Sequence, residues 1–549
     1  MPDRRTVLRG AAGIAVAFAA SACGAGTRPA GSSGADTLVL GKTDGGTTFI
    51  RNYNLYGPST QKAPDAGLVY ENLARIDYSD GAAVTPWLAE ALTFDEAGTT
   101  LTITLRDDVT FSDGTPMTAD DVVFSLRLPL SDPSFNIGGV TYTAVEKVDD
   151  RTVEVAFDAP AFSELNQFAG SGTFIVPAHL WADQDLNSWT NPDPIGTGPF
   201  TLERFSAQQV TLAARTDYWG GRFELKQLKI IPTNGDAVKA QLLRGDVDWA
   251  PIAWADAENE YVAEDPRNHL YQQYATGGAY SMFYNTARAP FDNVNLRRAL
   301  AMTIPRTEIV ATLQRPGTEA GPTGLVDEIY RDVLLPEYQG QVQQVDAAGA
   351  LEELAASGFT VSDGKLVKDG QTYVPTLSFN QDYGWDAYAN IMIRSWQDTL
   401  GLTVEPVGAP GANLWEQQQR GDFDLTISTT GGAGPAGVYR ALASQAAQPL
   451  GEKAATNFGR WTDEETDELV AQLTRSDDAE TLLAATQGMQ RVVAEQVPYS
   501  PIYSSYWFVA INASRWSGWP TPEEFTAVPT TALGPDFALV ARDLKRARS

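Results

Sequence analysis

Hydrophobic and polar positions alternate with a period of two in Thr99–Leu105 (TTLTITL) and Arg151–Phe157 (RTVEVAF). Successive strand side chains point to opposite faces, so each stretch predicts a half-buried strand. Between them, Phe111-Ser112-Asp113-Gly114-Thr115-Pro116 is a turn signature. It leads into Thr118-Ala119-Asp120-Asp121, where Thr118 can cap a helix and Asp121 stands at its third position. Val122, Val123 and Leu126 supply that helix with an apolar face. The chain from 37 to about 280 therefore reads as strand-rich.

From about 285 to 500 helix and strand patterns alternate. Thr376–Asn380 predicts a buried strand, followed by the polar and aromatic loop Gln381-Asp382-Tyr383-Gly384-Trp385. Asp386–Leu400 predicts a helix with Ile391, Ile393, Trp396 and Leu400 turned inward, and Gly401 stops it. Leu402–Val407 predicts the next strand, Asn413–Arg420 a helix ended by Gly421, and Phe423–Ser428 another strand. Such β-α-β units carry parallel strands with right-handed crossovers. Their ligands sit beyond the carboxyl ends of the strands. That marks Asn380–Trp385 and the loop Thr429–Tyr439 as the expected binding edge.

The first residues change the picture of where the protein works. Arg4-Arg5 precedes an apolar run, Gly10–Ala20, which ends in Ala20-Ser21-Ala22-Cys23. The pattern fits a twin-arginine export signal, and the run is shorter than the ~20 apolar residues a spanning helix needs. It also resembles a bacterial lipoprotein signal, which implies lipidation of Cys23, the only cysteine. Residues 24–36 are small, polar and rich in Gly and Ser, as a tether would be. With Cys23 lipidated, disulfides and cysteine catalysis are excluded. The expected location is extracytoplasmic, anchored to the cell membrane by lipid.

A length of 549 residues exceeds what one core sustains, so more than one domain is expected. The net charge of −29 argues against nucleic acid and anionic headgroups as partners. The only histidines, His179 and His269, are far apart in sequence. Metal sites favour clusters of His and Cys, so neither a metal nor another cofactor is expected. The 69 acidic residues make chance carboxylate pairs inevitable, and neither Gly-x-Ser-x-Gly nor His-Glu-x-x-His occurs. An extracellular hydrolase is thus only the second alternative.

Several motifs occur in order: Leu68-Val69-Tyr70-Glu71-Asn72-Leu73, Thr85-Pro86-Trp87-Leu88-Ala89-Glu90, and Leu105–Gly114 running into Thr118–Phe124. They continue with Pro194–Phe200, Asp217-Tyr218-Trp219-Gly220-Gly221, Leu243–Asp248, Phe283–Thr286 and Leu296–Leu300. The series resembles the family 5 extracellular solute-binding proteins, capture components of ABC importers for peptides, nickel complexes and some oligosaccharides. The resemblance implies an α/β fold of the two-lobe, type II periplasmic-binding-protein kind. Lobe 1 would span 37–284 with an inserted subdomain near 76–193, lobe 2 would span 285–500, and 501–549 would return to lobe 1. Two crossover strands would fall near Tyr280–Thr286 and Pro498–Asn512. A monomer would enclose its solute and deliver it to ABC permease subunits. Ile195-Gly196-Thr197-Gly198-Pro199 would be a backbone turn, since it lacks the Lys and the strand-to-helix setting of a phosphate loop.

Peptide receptors that this chain resembles carry Gly-Trp-x-x-Asp-Tyr after the strand equivalent to Phe423–Ser428, with the Asp holding the peptide ammonium. Here Thr429–Arg440 contains no carboxylate. Thr85–Glu90, Arg244–Trp249 and Gly321–Leu325 are more similar to the cello-oligosaccharide subgroup. Sugar C–H faces stack on aromatic rings while hydroxyls bond to polar side chains. The candidate platforms are Trp249, Trp254, Tyr280, Trp385 and Trp415, and the candidate polar partners are Asn52, Asn380, Gln381 and Asp382. The expected ligand is an oligosaccharide, with an oligopeptide as the first alternative.

Overall fold

A computed structural model describes residues 36–547 apart from 44–47, 58–61, 137–138, 171–172, 255, 314, 316–317 and 382–383. The leader, Cys23, the tether up to residue 35 and Asp382 lie outside the described residues.

A ten-stranded mixed sheet runs through both lobes. Its spatial order is Glu405–Ala409, Thr376–Asn380, Leu425–Thr429, His269–Tyr284, Tyr499–Asn512, Trp249–Pro251, Thr37–Lys42, Gln227–Pro232, Gln209–Ala214 and Phe200–Ser206. The two long central strands pair antiparallel from His269↔Asn512 to Phe283↔Tyr499, with irregularities between Ala275 and Ala279 and between Tyr280 and Ser281. At one end Tyr280 pairs with Thr429, and at the other Ile511 pairs with Trp249. These two strands are the crossovers. The first begins at His269, upstream of the expected Tyr280. Its Gly277-Gly278 bulge breaks the alternation that would have revealed its full length.

Apolar clusters build the two halves separately. Leu377, Ile427 and Trp396 belong to the core at the lobe-2 end, and Leu38, Trp249 and Phe537 to the core at the lobe-1 end. A third core lies under a separate four-stranded sheet. There Thr100–Leu105 pairs with Thr152–Ala156, and Leu101, Ile103, Val153 and Val155 point inward. The helix Ala119–Ser131 covers this sheet with Val122 and Leu126. At its start, the Thr118 N–H and hydroxyl both donate to the Asp121 carboxylate, at 2.9 and 3.1 Å.

In lobe 2 the helix Asp386–Leu400 follows its predicted span, and Gly401 ends it at φ 67°. Thr376–Asn380 lies parallel to both Glu405–Ala409 and Leu425–Thr429. The strand expected from Leu402 starts only at Glu405. The Leu402 N–H donates to the Trp396 carbonyl at 3.2 Å, so this residue closes the helix terminus instead.

The Ile195–Pro199 segment is a packing turn. A Cβ on Gly196 would lie 2.0 Å from the Val69 carbonyl oxygen, and one on Gly198 2.4 Å from that of Leu68. The buried Arg215 guanidinium donates to the carbonyls of Thr110 and Thr197, each at 3.1 Å, tying the turn to the inserted sheet.

Asp65 carries a pH dependence. It is fully buried and accepts the Tyr53 hydroxyl at 2.8 Å. Burial pushes its carboxyl up to about 7, against the lowering effect of that hydrogen bond. Between the ordinary value of 3.8 and about 7, the folded protein keeps a proton that the unfolded chain has lost. Stability from this group is therefore full at low pH and falls as pH rises through the window. Asp65→Asn should lose less stability than the wild type between about pH 4.5 and about pH 8, by roughly 1–3 kcal/mol. Urea unfolding at both pH values checks this, and equal losses in the two proteins would contradict it.

Candidate functional site: an aromatic chamber at the crossover strands

Tyr280 and Tyr503 are direct partners in the crossover pair, so their side chains share one face. Their rings stack at 4.5 Å and 20°. Trp385 closes the loop beyond the carboxyl end of Thr376–Asn380, where its N–H donates to the Asn380 carbonyl at 3.3 Å. Its ring meets Tyr280 edge-on at 5.6 Å. Tyr388 follows Trp385 by three residues, one helical step along the same face, and stands edge-on to Tyr503 at 5.7 Å. With Thr429, Leu313 and Arg315 these rings line a cavity of about 450 Å³. Among the described residues no acidic side chain lines it.

The Arg315 guanidinium lies 4.5 Å from the Phe508 ring centre and 5.7 Å from that of Tyr503. Burial pushes the hydroxyls of Tyr388 and Tyr503 well above the ordinary phenol value. They stay protonated at neutral pH and can donate hydrogen bonds.

A second cavity, about 700 Å³, separates the inserted sheet from lobe 2. Val84, Leu92 and Phe94 face Pro435, Leu473 and Leu482 across it. Arg440 reaches Glu164 at 3.5 Å between the same two bodies. Burial raises the Glu164 carboxyl against the pull of Arg440. The glycine-rich segment after Leu425–Thr429 connects the cavities, with Thr429 lining the first and Ala433–Ala436 the second. It is held on the crossover bulge, where the Thr430 N–H donates to the Ala279 carbonyl at 2.8 Å.

Of the residues singled out from sequence, Tyr280 and Trp385 meet in the chamber, and Asn380 holds the Trp385 backbone from below. Gln381 is exposed at the same strand end, and its N–H donates to the Ala409 carbonyl at 3.0 Å. The other rings lie elsewhere. Trp249 is buried in the lobe-1 core, stacked on Phe537 at 5.0 Å. Trp254 is buried against Tyr261 at 4.9 Å and donates to Glu260 at 2.7 Å. Asn52 is buried in a lobe-1 loop, where its side-chain oxygen accepts the Asn54 N–H at 3.1 Å. Trp415 is 49 % exposed on the helix Gly411–Arg420, edge-on to Phe458 at 5.1 Å. Those four therefore serve packing or surface at these positions and do not line the chamber. Tyr388, Tyr503, Leu313 and Arg315 were not picked out from the sequence. For Tyr388 the spacing from Trp385 was an available signal. For Tyr503 and Arg315 only the tertiary pairing reveals the site.

The sequence pattern of bacterial extracellular solute-binding proteins, family 5 Middle, matches residues 83–447. The oligopeptide-binding protein AppA of Bacillus subtilis is 27% identical over 413 residues, covering 72% of this chain and 73% of its own. A periplasmic oligopeptide-binding protein of an oligopeptide ABC transporter from Thermotoga maritima, solved with mannohexaose bound, has the same fold. It superimposes with a TM-score of 0.77 at 21% identity, covering 94% of this chain and 100% of its own. The Bacillus subtilis AppA structure in complex with a nonapeptide superimposes with a TM-score of 0.71 at 22% identity, covering 93% of this chain and 99% of its own.

Proposed function

Because the chain belongs to the family 5 bacterial extracellular solute-binding proteins, we propose that it captures an extended oligomeric solute between its lobes and delivers it to the permease of an ABC importer. The solute is an oligosaccharide, of the cello-oligosaccharide kind. The observation that carries this reading is the chamber of Tyr280, Trp385, Tyr388 and Tyr503, with no described acidic side chain in its lining. Flat sugar faces suit such rings. A peptide ammonium buried there without an anionic partner would cost several kcal/mol. The mannohexaose complex supports the reading, because a protein of this fold accommodates an oligosaccharide. A second reading, an oligopeptide, is favoured by the name of the Bacillus relative and by its nonapeptide complex. In either case the protein binds without turnover and works as a monomer. The Arg4-Arg5 leader and Cys23 support export and a lipid anchor.

Calorimetric titration with cello-oligosaccharides of increasing length, beside oligopeptides, tests the function. Solution scattering with and without the bound sugar should show a smaller radius on binding, as lobes close about a hinge. Trp385→Ala should weaken sugar binding by about 1–3 kcal/mol. Wild-type affinity in that variant would assign Trp385 to packing alone.

A further inference from the structure

The chamber contains a cation with no carboxylate partner among the described residues. In a chain of net charge −29, Arg315 sits where no described acidic side chain lines the cavity. No described carboxylate lies within the 4.0 Å of an ion pair. Glu319, which bridges to Tyr503 through its backbone, makes no ion pair with Arg315. The Arg315 Nε is buried and has no hydrogen-bond partner. Leaving such a donor unpaired costs free energy.

Three phenol hydroxyls gather within the electrostatic reach of that guanidinium. Burial raises Tyr271, Tyr388 and Tyr503, and the positive charge of Arg315 lowers each of them. The Tyr388 ring is buried and its hydroxyl faces that of Tyr503, which also lies beside the Arg315 guanidinium. The Tyr271 oxygen already accepts the Trp254 N–H at 2.8 Å, which leaves its own proton to donate. Arg315, Tyr388 and Tyr503 all line the cavity. A guanidinium and several phenols offer donors and a positive charge, and an oxyanion completes such a set. Arginine presents paired N–H groups that match a carboxylate.

We propose that Arg315, assisted by the hydroxyls of Tyr388 and Tyr503, is a carboxylate-binding position at one end of the aromatic chamber, so that the captured oligomer carries an acidic group. This rests on the reading of the chamber as the solute site. In an oligosaccharide the group is a uronic acid residue whose ring face lies against Tyr280 and Trp385. In an oligopeptide it is the terminal carboxylate. The chemistry at Arg315 is the same.

The test is calorimetry at low salt with two matched pairs. One pair is a β-linked glucose trisaccharide and its counterpart ending in glucuronate. The other is trialanine amide and trialanine. The carboxylate member of one pair should bind at least about tenfold more tightly, and added salt should shrink the difference. R315Q should abolish that preference, and R315K should retain part of it. If both sugars bind equally and both depend on Trp385, the chamber stands as the solute site and the carboxylate position falls. If only the free-acid peptide binds and R315Q removes it, the carboxylate position stands and the oligosaccharide reading falls. Absence of a carboxylate preference in both pairs, or one that persists in R315Q, overturns the proposal.

Discussion

Gly278→Ala should cost the protein at least about 3 kcal/mol of stability and most of its ligand affinity. A Cβ at this position would lie 1.8 Å from the Thr430 carbonyl oxygen and 2.6 Å from its carbon. Both are backbone atoms, so no side-chain rotation relieves the contact. The crossover bulge and the segment after Leu425–Thr429 must separate. That breaks the hydrogen bond from the Thr430 N–H to the Ala279 carbonyl and displaces Thr429 from the chamber. Gly431→Ala, next to Thr430 in sequence but with nothing within 4 Å of its Cβ, is the control. It should stay within about 0.5 kcal/mol of the wild type. Urea unfolding compares the two, and a Gly278→Ala variant as stable as Gly431→Ala would contradict the account of the bulge.

Glu71→Ala should be similarly damaging, by roughly 3–5 kcal/mol. The Glu71 side chain is fully buried and accepts three hydrogen bonds, from the Trp87 Nε1–H at 2.8 Å, the Tyr218 hydroxyl at 2.6 Å and the Trp219 Nε1–H at 3.1 Å. Burial raises its carboxyl, and those donors pull it back down. Its backbone carbonyl accepts the Ile175 N–H at 2.8 Å, so the residue joins segments distant in sequence. Truncation leaves one buried and two partly buried donors without a partner, a larger loss than removing both sides of a bond. Glu71→Gln keeps one acceptor oxygen and should fall between the wild type and alanine. Thermal unfolding followed by tryptophan fluorescence measures it. A midpoint unchanged in Glu71→Ala would show that the three donors find other partners.

Much of the fold was legible where local pattern decides it. The helix Asp386–Leu400 has an apolar stripe and a glycine stop, and it forms as read. Thr118 and Asp121 form the cap their spacing suggests. The first crossover strand was only half visible, because Gly277-Gly278 interrupts its alternation to admit the Thr430 backbone. The chamber divides along the same line. Trp385 and Tyr280 were found because strand ends and family motifs mark them. Tyr503 joins them only through antiparallel register, a pairing that composition does not encode. Trp249 misled because a tryptophan in a strand looks alike in a core and in a cleft. Its burial is set by Phe537, near the other end of the chain.

Native mass spectrometry of the protein, purified gently from its own host, tests the central claim most directly. Capture of an oligosaccharide predicts an adduct whose mass is built from sugar residues and which is lost or weakened in Trp385→Ala. A ladder of adducts spaced by amino-acid residue masses would contradict it.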